Sequence, residues 1–261
     1  MTVPVPMTVR KLEFADAREA ADLAAFLARL IHYDRAAAVR LQAGGGALAV
    51  FGRPPSFEVL AIRTARLAVP YELDITVSAG ELLEAIDEQA GSAVVPAAVT
   101  GPPWAGVLPP RGGWQRVAGL PGEEAIRGAL SAAVAEFRSR DARLTPGDRT
   151  RAARDRIGRE IWSRTLGDTR LPLRAVHAAQ SLGFLRPVRA MVSAQAAASA
   201  PAAPPVSEKQ TKHSKPAVPK PVVPDRPLAL LESGSWLRLR TPYGSIAVRR
   251  AGLGGLTVTP A

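Results

Sequence analysis

Cysteine is absent from the 261 residues, which excludes disulfides, thiolate metal sites and a cysteine nucleophile. Asparagine is absent too. That removes N-glycosylation and the asparagine–adenine contact, one common means of reading a DNA base. Lysine is scarce, 5 residues against 29 arginines. With the abundance of alanine, this is the bias of high-GC bacterial coding, so arginine richness alone carries little functional meaning. Nowhere do 18 apolar residues run together, and the most apolar-looking long stretch, 190–206, is mostly alanine, serine and proline, so no membrane span and no membrane partner are expected. The opening MTVPVPMTVRKLEF has no charged segment followed by an apolar run and does not read as a signal peptide. The expected compartment is the cytoplasm.

What is present fits an ordinary globular protein. Apolar residues make up 47% and charged residues 22%, and the length suits one large domain or two modest ones with a real core. The net charge of +11 is unevenly placed. Residues 1–90 hold 9 basic and 12 acidic side chains, net −3, so the remainder carries +14. Such a division suggests a polyanionic partner, or at least an electrostatic division of labour.

Local patterns give the organisation. Residues 8–14 alternate as a strand. Asp16 followed by Glu19 reads as a capping box, and Leu23, Phe26, Leu27, Leu30 and Ile31 then recur on one helical face. Two strands, 38–41 and 47–51, flank Gly44-Gly45-Gly46, and 57–68 and 73–77 read as further strands. Ser78 caps a short helix through Glu81, Leu82, Leu83 and Ile86. This order resembles a half-domain of a DNA sliding clamp, with ITVSAGELLEAI at 75–86 placed to open a next repeat. The strands that such a repeat needs are missing from the proline- and glycine-rich 96–122, and nothing is carried over from the resemblance. A helix is expected from Glu123 with Ile126, Leu130, Ala133, Val134 and Phe137 on one face, its acidic start and basic end matching the helix dipole. Thr145-Pro146, with Asp148 following, reads as the start of another helix running to about Thr165 with Ala153, Ile157 and Ile161 buried. Gly167-Asp168 breaks it. A shorter helix, 172–182, stops at Gly183 with Phe184 folding back.

From about 194 the composition shifts to Ala, Pro, Lys and Ser, too poor in large apolar groups to offset ordering entropy, so a disordered linker is expected. Beyond it, 236–240 and 245–250 alternate as strands, and 256–259 suggests a third. So short a tail needs something to pack on, and it is expected to dock on the front sheet or on another chain. The expected fold class is α+β: a mixed or antiparallel sheet with packed helices, a basic helical hairpin, a disordered Pro/Ala/Lys linker and a short C-terminal β segment. Its divisions are a platform (1–95), a Pro/Gly/Trp loop (96–122), a basic helical region (123–190), the linker (191–227) and the C-terminal strands (228–261).

Chemistry-bearing patterns are few. His32, His177 and His213 lie in different units with no metal-ligand spacing. The three glycines join two strands rather than a strand to a helix, which is a hairpin turn and not a phosphate loop. Glu81, Glu84, Asp87 and Glu88 share one short helix, whereas paired-carboxylate chemistry needs two held across a cleft. No serine occupies a nucleophile elbow. No catalytic residue, cofactor or metal is expected. A weak ligand pocket is read at Trp104, Arg111 and Trp114, where aromatics and proline supply rigid walls and arginine an anion contact. The strongest pattern is basic. Arg149, Arg151, Arg154, Arg156 and Arg159 cluster on one helix with Trp162 among them, a combination suited to phosphate contact with stacking. The glycine-containing turn to the next helix has a helix-turn-helix look. Lys212 and Lys215 in the linker and Arg238 and Arg240 in the tail extend the theme. The leading expectation is therefore a non-enzymatic accessory protein that binds nucleic acid through one continuous basic surface of its back half, without base-specific readout. The alternative is an interaction adaptor whose tethered C-terminal strands dock on a protein partner or a second copy.

Overall fold

In the computed structural model, which describes residues 10–102, 104, 108–186 and 228–250, the first helix begins where its capping signal lies. Asp16 Oδ1 accepts the Glu19 N–H at 3.0 Å at the head of α1 (Ala17–Tyr33). Its apolar stripe of Leu23, Phe26, Leu27 and Leu30 is fully buried. Ser78 likewise caps α2 (Ala79–Glu84) through the Glu81 N–H. Three longer helical segments follow: α3 (Glu123–Ala142), α4 (Arg151–Ser163) and α5 (Leu173–Ser181).

The strands are β1 (Lys11–Glu13), β2 (Ala38–Gly44), β3 (Ala47–Gly52), β4 (Leu60–Arg66), β5 (Leu73–Ser78), β6 (Ile86–Asp87), β7 (Ser92–Val94), β8 (Gln115–Val117), β9 (Ala229–Ser233), β10 (Trp236–Thr241) and β11 (Gly244–Arg249). They form a small sheet in the order β1-β7-β6 and an eight-stranded sheet in the order β5-β2-β3-β4-β11-β10-β9-β8. Every pairing is antiparallel, and the fold is α+β. The C-terminal strands enter the large sheet through β11, which pairs with β4 in the register Ser245↔Ile62, Ala247↔Leu60. One continuous sheet thus joins the front and back of the chain.

Strand alternation gives that sheet two different faces. Val39, Leu41, Leu48, Val50, Leu237, Leu239, Ile246 and Val248 point toward the helices and share a core with α1, α3, α4 and α5. Each such buried aliphatic side chain contributes about 1.5–3 kcal/mol relative to exposure. The alternate positions Phe51, Leu60, Ile62, Trp236 and Ala247 lie on the other face, where Trp104 packs over them. We refer to that second face as the open face, since no helix covers it among the described residues.

The end of α5 is fixed by backbone geometry. Gly183 takes φ +75°, Phe184 N–H donates to the Ala179 carbonyl at 2.7 Å and Gly183 N–H to Gln180 at 3.0 Å, the paired bonds of a Schellman motif. Phe184 is thereby turned inward, stacked on Phe26 at 5.5 Å and seated against Gly244. A Cβ at Gly244 would lie 2.6 Å from the phenyl ring, so only glycine admits the ring there.

A buried ionic knot locks these parts together. Arg63, on the helix side of β4, is 5% exposed. It donates to the Tyr243 carbonyl at 2.7 Å and to Glu19 and Asp22, each at 3.2 Å. Arg66 pairs with Asp16 and Glu19, and Arg186 pairs with Asp22 while its guanidinium lies 3.8 Å from the Tyr243 ring centroid. Burial pushes the Arg63 guanidinium down from its ordinary value, and the neighbouring Asp22 and Glu19 charges oppose that shift.

Several expectations need correction. The helix expected to be capped by Thr145 takes its cap at Thr150 instead. Thr145 Oγ1 and Asp148 close only a single turn, and Thr150 accepts the Ala153 N–H at the head of α4. Gly147 and Asp148 are poor helix formers, so the later cap prevails. The loop 96–122 is not wholly irregular, because β8 pairs with β9. Strand β9 itself carries no sequence signal, since its apolar Ala229-Leu230-Leu231 lacks alternation. Strand β4 begins at Leu60 rather than at 57. The linker residues Lys212 and Lys215, His213 and the expected strand at 256–259 lie outside the described residues. No described helix is long and apolar enough to cross a membrane.

Truncating one member of a buried ion pair leaves uncompensated groups behind. Arg63→Ala is therefore expected to destabilise the fold by about 3 kcal/mol, read as a lowered urea midpoint. Arg66→Ala, at an exposed site, should cost less than about 1 kcal/mol.

Candidate functional site

The structure divides the arginines expected to form one surface. On the helical side, most are matched by carboxylates of the same segment. Arg154 donates to Asp141 at 2.7 Å, Arg149 to the Asp141 carbonyl at 2.9 Å, and Arg151 lies 3.8 Å from Asp155. Arg140 pairs with Glu160 at 2.6 Å and Arg164 with Glu136 at 2.5 Å, tying α3 to α4. Hydrogen bonds from Arg140, with its charge and then Arg164, hold the Glu160 carboxyl down at about 2. Arg164, ahead of Arg140, lowers Glu136 in the same way. Arg156 and Arg159 are exposed and make no ion pair among the described residues.

Trp162 does not stand among the guanidinium groups. Its ring stacks on His177 of α5 at 4.4 Å and 22° and lies 6.4 Å from Phe137 of α3. The half-buried indole is thus a packing element between three helices. The sequence shows its angular position on α4 but not which face the neighbouring helices cover.

Arg238 and Arg240 lie on the other side of the sheet. They alternate along β10 with Leu237 and Leu239, which face the helices, so both guanidinium groups belong to the open face. There the structure unites two groups that the sequence keeps apart. The Arg238 guanidinium lies over the Trp114 ring, 5.7 Å from its centroid, a cation–π arrangement. Trp114 is held in place by its indole N–H, which donates to the Pro110 carbonyl at 3.0 Å. The register Arg116↔Leu231↔Arg238 sets Arg116 on the same face, two strands away. Two residues along β10, Trp236 opposes Arg249, whose guanidinium lies 5.1 Å from the Trp236 ring centroid. That end of the sheet opens into a concavity of about 850 Å³ lined by Arg53, Pro54, Glu58, Pro102, Trp236 and Arg249. Glu58 there has φ +51°, a left-handed conformation that a non-glycine side chain adopts at some cost.

Trp104 covers part of this face, burying Trp236, Leu60 and Ile62; the groups left at its surface, the cationic track of this face, are Arg240, Arg238 and Arg116 around the half-buried Trp114, with Arg249 and Arg53 at the other end. Among the described residues, Arg53, Arg111, Arg116 and Arg240 make no ion pair with a carboxylate. The Arg240 Nε–H is buried without a hydrogen-bond partner among the described residues. Asp74, also on this face, is bound by Arg40 at 2.7 Å and by Gln42, and the Arg40 hydrogen bonds hold its carboxyl below the usual range. Of the expected pocket residues, Trp114 joins this track and Arg111 is exposed on the same loop, while Trp104 is 6% exposed and packs against Phe51, Leu60 and Ile62. Sequence reasoning misses Arg116, Arg53 and Arg249. Their only local signal is strand alternation, and cross-strand partners cannot be read from one strand.

Comparison with known families gives two matches. A family described as Domain of unknown function (DUF8010) matches residues 7–106, and one described as Domain of unknown function (DUF8185) matches residues 109–253. The β4–β11 pairing lies across these two regions. No curated protein and no solved structure matches the chain.

The burial of His177 beside Trp162 predicts a pH effect. Burial pushes His177 down from its ordinary value, so below about pH 6.5 the unfolded chain takes up a proton that the folded one resists. The associated stability is complete above the unfolded value and is lost as pH falls through the depressed folded one. Thermal melts at pH 7.5 and 5.5 should show a lower Tm at the acid value, and His177→Phe should remove much of that difference. An identical pH response in the variant would contradict this origin.

Proposed function

We propose, for a chain that belongs to the DUF8185 family, that it is a non-enzymatic, cytoplasmic accessory protein that binds single-stranded nucleic acid across the open face of its large sheet, without base-specific readout. One observation carries this reading. Trp114 and the guanidinium of Arg238 are stacked together on a face shared with Arg116 and Arg240, outside the helical layer and away from the carboxylates that neutralise α4. Guanidinium groups bind phosphate oxygens in a planar, bidentate manner. An indole accepts any unpaired base, because every base has a π-face. Guanidinium groups beside a half-buried indole thus suit a phosphate backbone with a splayed base, and they discriminate little between sequences.

The adaptor alternative has less to rest on. Strands β9–β11 already pair with β4 and β8 of their own chain. The other border of the sheet, β5, is met by the Val99 N–H, which donates to the Thr76 carbonyl at 2.9 Å.

Fluorescence anisotropy with a labelled oligo(dT), titrated over a range of salt, tests the proposal. Log K should fall linearly with log[salt], and the double variant Arg116→Ala/Arg240→Ala should flatten the slope by about 0.7 for each phosphate that it no longer neutralises. Trp114→Ala, checked for folding by circular dichroism, should weaken binding by about 1–3 kcal/mol. Absence of binding at low salt would refute the reading.

A further inference from the structure

The helical side holds a second cationic feature that the open-face track does not use. Where α3 ends and α4 begins, Arg143, Thr145, Thr150, Ala153, Arg156 and Arg159 line a concavity of about 610 Å³, with Asp148 also at its wall. Asp148 is engaged by the Thr145 hydroxyl at 2.7 Å. Arg156 and Arg159 are one turn apart on α4, and Arg143 approaches from the end of α3. All three are exposed and none makes an ion pair among the described residues. Their neighbours Arg149 and Arg154 are occupied by Asp141, and although the Asp148 carboxylate lies at the wall of the hollow, the three guanidinium groups outnumber it and form no ion pair with it. The start of α4 faces the same space and adds the positive end of its dipole.

We propose that this hollow is a second, separate phosphate-contact site, and that one molecule therefore bridges two segments of nucleic acid. The inference rests on the open-face reading above. Its geometric basis is the position of the two cationic groups relative to the sheet. Ile157 and Ile161 of α4 are buried in the core shared with Leu237 and Leu239, while Arg156 and Arg159 point away from it. Arg238 and Arg240 point to the opposite side of the same sheet. A strand lying along β10 and a backbone seated against α4 are thus separated by the thickness of the protein. The second site reads phosphates alone. No aromatic ring lines it among the described residues, and Trp162 on the same helix is stacked on His177 and packed near Phe137. The two sites differ accordingly: stacking with phosphate contact on the open face, phosphate contact only at the α3–α4 corner.

Bridging is measurable with the full chain. Biotinylated oligo(dT) on streptavidin beads is incubated with protein and then with fluorescent oligo(dT), which cannot anneal to it. The wild-type chain is expected to retain the fluorescent strand on the beads. The triple variant Arg143→Ala/Arg156→Ala/Arg159→Ala breaks no ion pair among the described residues, and its fold is checked by circular dichroism. It should lose that retention to the level of beads without protein, while its anisotropy affinity for one strand changes by less than about threefold. Retention by the triple variant equal to that of wild type, or wild-type binding without retention, overturns the bridging inference and leaves the open-face reading standing. Absence of binding to even one strand overturns the open-face reading itself.

Discussion

Arg63 is the group around which the two ends of the chain are organised. A guanidinium that deep within a fold must find partners for its charge and its donors, and it finds them on two elements far apart in the chain. Its acceptors are Glu19 and Asp22 at the start of α1 and the Tyr243 carbonyl in the turn before β11. Arg186, just beyond α5, completes the knot through Asp22 and the Tyr243 ring. The β4–β11 pairing is therefore reinforced by a charge that would be costly to leave unsatisfied. The register of β11 against β4 decides in turn which residues of β10 face the helices and which face outward.

That register has an electrostatic consequence. A one-residue slip would exchange Arg238 and Arg240 with Leu237 and Leu239 across the sheet. With the observed register, the leucines complete the helix-side core and the arginines share a face with Trp114. The open-face track thus follows from the same constraint that joins the front and back of the chain.

The arginines of the back half divide into two populations. Those between α3 and α4 hold helices together through Glu136, Asp141 and Glu160. Exposed pairs of this type contribute little individually, but they remove cations from the surface available to a polyanion. Arg116 and Arg240 on the open face, and Arg143, Arg156 and Arg159 at the α3–α4 corner, have no such carboxylates among the described residues. Net charge alone therefore overstates the cationic surface left unpaired.

By itself the sequence determined whatever depends on near neighbours: the Asp16 and Ser78 caps, the apolar stripe of α1, the glycine hairpin between β2 and β3, and the Gly183–Phe184 end of α5. Each is set by contacts within a few residues, so composition and spacing suffice. It also revealed the excess positive charge of the back half. The tertiary structure alone decided which arginines are neutralised, that Trp162 packs between helices, and that Trp114 meets Arg238. These outcomes rest on contacts between residues far apart in the chain, such as Arg63 with Tyr243 and Trp114 with Arg238, and no local pattern encodes which strands become neighbours or which helix face is covered.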